Sequence, residues 1–127
     1  ENKEKFWEVH IKIDKKLLDK INKILDDAKA DDISIINLKN KTSIADFFIL
    51  GTCRSSRHAD ATADEVTKLL KIDGINCPSP SGRPQCDWVI VDAGSIIIHL
   101  FKPEIREVYS LEKLWGISFE SSENQRA

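Results

Sequence analysis

The sequence predicts an α+β (α/β) domain, a mixed β-sheet flanked by helices. Three observations carry this prediction. Apolar residues recur at helical spacing from Lys15 to Ala30 and again from Ala59 to Leu70, a two-sided apolar run from Ala45 to Cys53 lies between them, and two strand patterns flank Ala93-Gly94. Helices and strands interleaved in this way need a sheet with helices packed on it, and the pattern leaves open whether the layers number two or three. The chain has 127 residues, enough for one domain and its core.

In the first helical stretch the apolar positions are Leu17, Leu18, Ile21, Ile24, Leu25 and Ala28, with Asp14 placed to cap its start and Asp31-Asp32 to end it. The mixed segment before it makes residues 1–13 an N-terminal extension to a domain spanning 14–117. Asp32 to Lys39, with Ile33, Ile35, Ile36 and Leu38, reads as a strand ended by Asn40-Lys41. Ala45 to Cys53 reads as a strand buried on both faces, followed by the polar turn Arg54-Ser55-Ser56-Arg57-His58 and the second helix. Gly74, Pro78, Pro80, Gly82 and Pro84 make Asp73 to Gln85 a surface loop without a regular element.

Asp87 to Asp92 and Ser95 to Phe101 then form a hairpin around Ala93-Gly94, and Pro103 opens a last helix from Glu104 to Leu114. Residues 118–127 are polar and read as a frayed tail.

Composition excludes several functions. Lys and Arg total 19 against 21 Asp and Glu, a net charge of −2, so no broad positive field draws in nucleic acid, and direct sequence-specific nucleic-acid binding is not expected. The runs Phe47-Phe48-Ile49-Leu50 and Ile96-Ile97-Ile98 fall far below the ~20 residues that cross a bilayer, so a soluble chain without membrane attachment is expected. Cys53, Cys77 and Cys86 form no C-x-x-C pair, which argues against a zinc site or a disulfide framework and for a reducing compartment. Neither a metal nor a cofactor is expected, since His10, His58 and His99 stand at no helical ligand spacing.

Two regions are candidates for chemistry or binding. The first is the strand-to-helix turn Gly51 to His58. Ser55, Ser56 and Arg57 there form a candidate anion site, although the turn matches neither a P-loop nor a dinucleotide fingerprint, and capping of the helix by Ser55 or Ser56 is the preferred reading. Ser55, His58 and Asp60 lie too close along one helix start to converge as a triad, and Cys53 beside His58 reads first as a small buried thiol. Asp60 and Asp64, like charges four apart, read as a solvated helix face.

The second region is the hairpin. If Asp92 pairs with Ser95, Trp88 stands opposite His99, and one face carries Trp88, Ile90, Asp92, Ser95, Ile97, His99 and Phe101. The other face carries Val89, Val91, Ile96, Ile98 and Leu100, which reads as core. The mixed face fits equally a protein-binding surface with aromatic anchors and a second core layer beneath a helix.

Asp46-Phe47-Phe48-Ile49, Gly51-Thr52 with Ser55-Ser56-Arg57-His58, Asp87-Trp88-Val89-Ile90-Val91-Asp92-Ala93-Gly94, and Pro103 through Trp115 form an ordered set. In this combination, across residues 15 to 116, the chain resembles the ribosomal silencing factors, also called Iojap-like proteins. The resemblance implies a nucleotidyltransferase-like fold without the catalytic carboxylates. It also implies a non-enzymatic factor that binds the large ribosomal subunit through ribosomal protein L-fourteen and sterically blocks joining of the small subunit.

It further implies that Trp88, His99, Arg106 and Tyr109 belong to the partner-binding surface, to which the hairpin face adds Ile90 and Phe101. A bacterial member would be cytoplasmic, an organellar one would sit in the mitochondrial or plastid matrix. A departure from the family is the long proline-containing loop Asp73 to Gln85. Two other readings stand beside this one: a nucleotide-binding or nucleotidyltransferase-like enzyme using the Gly51-His58 turn, and self-association into a homodimer through the hairpin face or the last helix.

Overall fold

The computed structural model describes residues 2–109, with side chains from residue 15 to 106. The element order is α1 (Asn2–Asp27), β1 (Asp31–Asn37), β2 (Phe47–Thr52), α2 (Ser56–Ile72), β3 (Trp88–Asp92), β4 (Ile96–Phe101) and α3 (Pro103–Tyr109). The four strands form one sheet in the order β1-β2-β4-β3, parallel between β2 and β4 and antiparallel elsewhere. The mixed sheet expected from the sequence is therefore present. The stretch of the last helix beyond Tyr109 and the tail 118–127 lie outside the described residues.

Alternation along the strands gives the sheet two apolar faces. Ile49 of β2, Val89 and Val91 of β3, and Ile96, Ile98 and Leu100 of β4 point to one side, where Ile21, Ile24 and Leu25 of α1 and Ala59, Ala63, Val66 and Leu70 of α2 cover them. Ile36 and Leu38, Phe48 and Leu50 of β2, and Phe101 of β4 gather on the other side, joined by Trp88, Ile97 and Ile105 of α3. All six residues of β2 are buried, as its uninterrupted apolar run predicts.

Two boundaries differ from the sequence reading. Helix α1 continues through Asp14 to Asn2, so Asp14 lies within the helix and not at its start. Its apolar stripe needs no break at that point, and a capping-type residue stops a helix only where the backbone leaves helical geometry. The far end closes earlier than Ala30. Lys29 turns to φ 70°, the Ala30 amide reaches back to Leu25 O (3.0 Å) and the Lys29 amide to Asp26 O (3.0 Å), which together make a Schellman cap. Ala30 and Leu25 supply its apolar contact in the core.

The hairpin register is the second difference. The residues that turn the chain are Gly94 and Ser95, not Ala93 and Gly94. The Ala93 amide donates to Ile96 O (2.9 Å), Gly94 takes φ 91°, and Asp92 Oδ1 accepts from the Gly94 amide (2.8 Å). Ser95 cannot pair with Asp92 because its carbonyl accepts from Asp46 and Phe47 at the entry to β2. Asp92 therefore faces Ile97, Ile90 faces His99, and Trp88 faces Phe101. A slip of two residues preserves which side chains share a face, so the division into core face and mixed face stands while the pairs change.

Lysine at a left-handed position carries a steric cost that glycine does not. Lys29→Gly should accordingly stabilise the protein by about 0.5–1 kcal/mol, read as a higher urea midpoint at unchanged slope.

Candidate functional site

The mixed face is built around His99. Its place on β4, between Ile98 and Leu100 in a strand buried on both sides, leaves it only 5% exposed. Trp88 on the neighbouring strand donates its indole Nε1–H to His99 Nδ1 at 3.0 Å. An imidazole that accepts at Nδ1 carries its proton at Nε2, so the hydrogen bond fixes the neutral tautomer. Nε2 is buried and has no hydrogen-bond partner among the described residues. Burial pushes the His99 pKa down to about 4, because a charge there would lose its water.

Aromatic rings complete the setting. Phe48 meets His99 edge-on at 4.4 Å, Phe101 stacks on it at 5.9 Å and 12°, and Trp88 lies 5.1 Å from Phe101. Trp88 and Ile90 are half-buried, whereas Phe101 is 1% exposed. The two readings of the hairpin face are thus both realised, at different depths. His99 and Phe101 are almost wholly buried and belong to a second core layer, which corrects their placement as outward contacts. Trp88 and Ile90 form the part that a partner can reach.

Arg106 is also spent internally. Its Nη1 donates to Asp32 O (2.6 Å) and Thr52 Oγ1 (2.8 Å), and its Nη2 to Ser34 Oγ (3.0 Å). Ser34 in the middle of β1 and Thr52 at the end of β2 are buried polar residues, and the guanidinium gives both a partner while fastening α3 across the sheet. In place of a free binding cation, the structure has a tie between α3 and two strands. Tyr109 is the last residue of α3, and its side chain lies outside the described residues.

At the Gly51-His58 turn, the cap reading describes the geometry. Ser55 accepts from the His58 amide at 3.0 Å with extended backbone, as an N-cap does. The Arg54 amide donates to His58 Nδ1 (3.1 Å), and His58 Nε2 lies 2.7 Å from Ala28 O at the end of α1, so both ring nitrogens are occupied. Ser56 is half-buried and Arg57 exposed. Burial raises the pKa of Cys53, and also those of Cys77 and Cys86, which disfavours a nucleophilic thiolate. No group of three or more His, Cys, Asp or Glu side chains that could hold a metal occurs among the described residues. A cleft of about 360 Å³ between α1 and α2 is lined by Ile24, Ala28, His58, Thr62 and Leu69, with the imidazole already committed to backbone partners.

Asp60 and Asp64 stay accessible to solvent, as a like-charged helix face does, but they share a cation. Arg83, from the proline-containing loop, pairs with both, Nε to Asp60 Oδ1 at 2.6 Å and Nη2 to Asp64 Oδ1 at 2.5 Å. The sequence carried a signal for this: like charges four apart on a helix repel, and a cation between them relieves it. Which cation would serve was not readable, because the loop that brings it is irregular. No helix among the described residues is long and apolar enough to cross a membrane.

Comparison with known proteins adds to this geometry. A family model described as "Ribosomal silencing factor during starvation" matches residues 12–127. A ribosomal silencing factor of Zymomonas mobilis is 42% identical over 107 residues, covering 84% of this chain and 80% of that protein. A mouse protein named for mitochondrial assembly of the ribosomal large subunit is 35% identical over 105 residues, 79% of this chain and 45% of its own length. A crystal structure from Chromobacterium violaceum superposes with a TM-score of 0.77 at 31% identity, covering 80% of this chain and 85% of that one.

The neutral buried imidazole has a measurable consequence. An unfolded His99 takes a proton near its ordinary value of 6.5, whereas the folded one resists until about 4. Acid therefore favours the unfolded chain across that interval: the stability present at neutral pH falls as pH drops through it and levels off below. The loss reaches about 3 kcal/mol at 1.36 kcal/mol per unit. Urea unfolding across this range should show that slope, and His99→Phe should flatten it.

Proposed function

The chain belongs to the ribosomal silencing factor family, and on that premise we propose that it docks on the large ribosomal subunit and keeps the small subunit from joining. The contact is with ribosomal protein L-fourteen, and the action is exclusion, with no bond made or broken. The observation that carries the reading is the family match across nearly the whole chain. The mouse relative, named for large-subunit assembly, supports a ribosomal partner. Relatives named as mitochondrial and chloroplastic suit a factor that works wherever ribosomes are found, in the cytoplasm of a bacterium or the matrix of an organelle.

The docking surface in this reading is the half-buried pair Trp88 and Ile90, held from beneath by His99 and Phe101. An aromatic anchor with a fixed orientation suits this task, since it loses little freedom on binding. Arg106 contributes through the placement of α3. A net charge of −2 suits docking on a protein better than gripping RNA. The residues from which an enzyme would be built at the Gly51-His58 turn are the ones occupied with capping and bridging.

Trp88→Ala should weaken cosedimentation with isolated large subunits by about thirtyfold, equivalent to ~2 kcal/mol, while the protein remains folded. Subunit joining, followed by light scattering, should be inhibited by the parent protein and restored with the variant. A folded variant that binds and inhibits as the parent does would remove Trp88 from the surface, and a parent protein that leaves joining unchanged would remove the function.

A further inference from the structure

The proline-containing loop, a departure from the family pattern, does more than connect α2 to β3. Ser81 and Ile90 exchange two backbone hydrogen bonds, Ser81 N to Ile90 O and Ile90 N to Ser81 O, both 3.0 Å. The loop thus lies along the outer edge of β3 as a fifth, one-residue strand. Directly paired residues in an antiparallel ladder point to the same side, so Ser81 shares the face of Ile90, His99 and Trp88. Ser81 and Gly82 are exposed. At Gly82 the chain comes so close to β3 that an added Cβ would lie 2.0 Å from Trp88 O, and φ is 98°. Only glycine fits there.

What holds this strap is on the other side of the sheet. Arg83 reaches α2, where Asp60 and Asp64 pair with it and Nη2 donates to Asp60 O (3.2 Å). The Cys86 amide closes the turn on Gly82 O (2.8 Å), and the buried Cys86 thiol donates to Asp60 Oδ1 at 3.6 Å. One helix turn thereby fixes the loop at both Arg83 and Cys86. The aspartates that repel each other on α2 become a clamp once the guanidinium sits between them.

We propose that the strap around Ser81 is the rim of the Trp88-Ile90 docking surface, binding the same large-subunit protein, and that Arg83 is the positioning residue that holds it there. The proposal rests on the docking reading given above. Continuity carries it: the strap extends the face by backbone hydrogen bonds to a residue of that face, and it places an exposed hydroxyl and two glycine-flanking peptide groups beside an aromatic anchor. A polar rim around an apolar centre is what protein-binding surfaces require. Arg83 acts at a distance, since its own side chain points to α2.

The test pairs hydrogen exchange with cosedimentation on the full chain. In Arg83→Ala, the amides of Ser81 and Ile90 should lose protection while those of β4 keep theirs, and affinity for large subunits should fall about tenfold, as expected when a loop must be ordered on binding. Arg83→Lys, which keeps a cation between the aspartates, should restore part of both. Asp64→Asn, an exposed change that leaves the helix intact, should give a milder version of the same pair of effects. Loss of protection with unchanged affinity would overturn the rim, and unchanged protection would overturn the anchor. Trp88→Ala run in parallel separates the two levels: if it also leaves affinity unchanged, the docking reading fails, whereas weakening by Trp88→Ala but not by Arg83→Ala fails the strap alone.

Discussion

Burial of β4 on both faces is the constraint on which the rest of this molecule depends. β4 is central in the sheet, paired in parallel with β2 and antiparallel with β3, and all its residues but the half-buried Ile97 are buried, so nearly every position along it must be apolar or kept neutral. Five of its six residues meet that requirement by composition. His99 meets it through Trp88, whose indole proton satisfies one nitrogen and dictates where the remaining hydrogen sits. The bond works in both directions, because the imidazole also fixes the indole at the margin of the sheet. A core requirement thereby determines the posture of the residue most available to a partner.

The sheet divides labour between its faces. Towards α1 and α2 it is mostly aliphatic and closed by the two helices, and His58 and Ser55 at that end cap α2 and link it to the end of α1. Towards α3 it is aromatic and only partly covered, with Arg106 tying the short helix to the first half of β1 and the end of β2. Packing that needs no water and packing that stops short of exclusion coexist on opposite sides of a single layer of backbone.

Much of this was legible in the residue pattern. Alternation in Trp88–Asp92 and Ile96–Phe101 separates the two faces whichever of two registers the hairpin adopts, since a slip of two keeps parity. The register itself depends on the carbonyl of Ser95, which serves β2, a contact between segments nearly fifty residues apart that no local pattern encodes. Depth was illegible for the same reason. His99 and Ile90 sit on one face and face each other, yet one is central in the sheet and the other near its rim, and strand order is what separates them. The start of α1 is not readable at Asp14, because an aspartate is compatible with both a cap and a position within a helix. The role of Arg83 is not encoded locally, because its partners come from a helix and its position from an irregular loop.

The outer strand on the opposite side, β1, is irregular where it begins: its pairing with β2 shifts between Asp31 and Ser34, Asp32 takes φ 48°, and both aspartates are exposed. Sheets end in a row of unsatisfied backbone groups that invite strands from neighbouring molecules, and bulges with outward charge defeat that templating. On the far edge, Ser81 already pairs with Ile90 in the middle of β3. The irregular start of β1 and the Ser81 bridge beside β3 thus each interrupt an edge along which a foreign strand would pair.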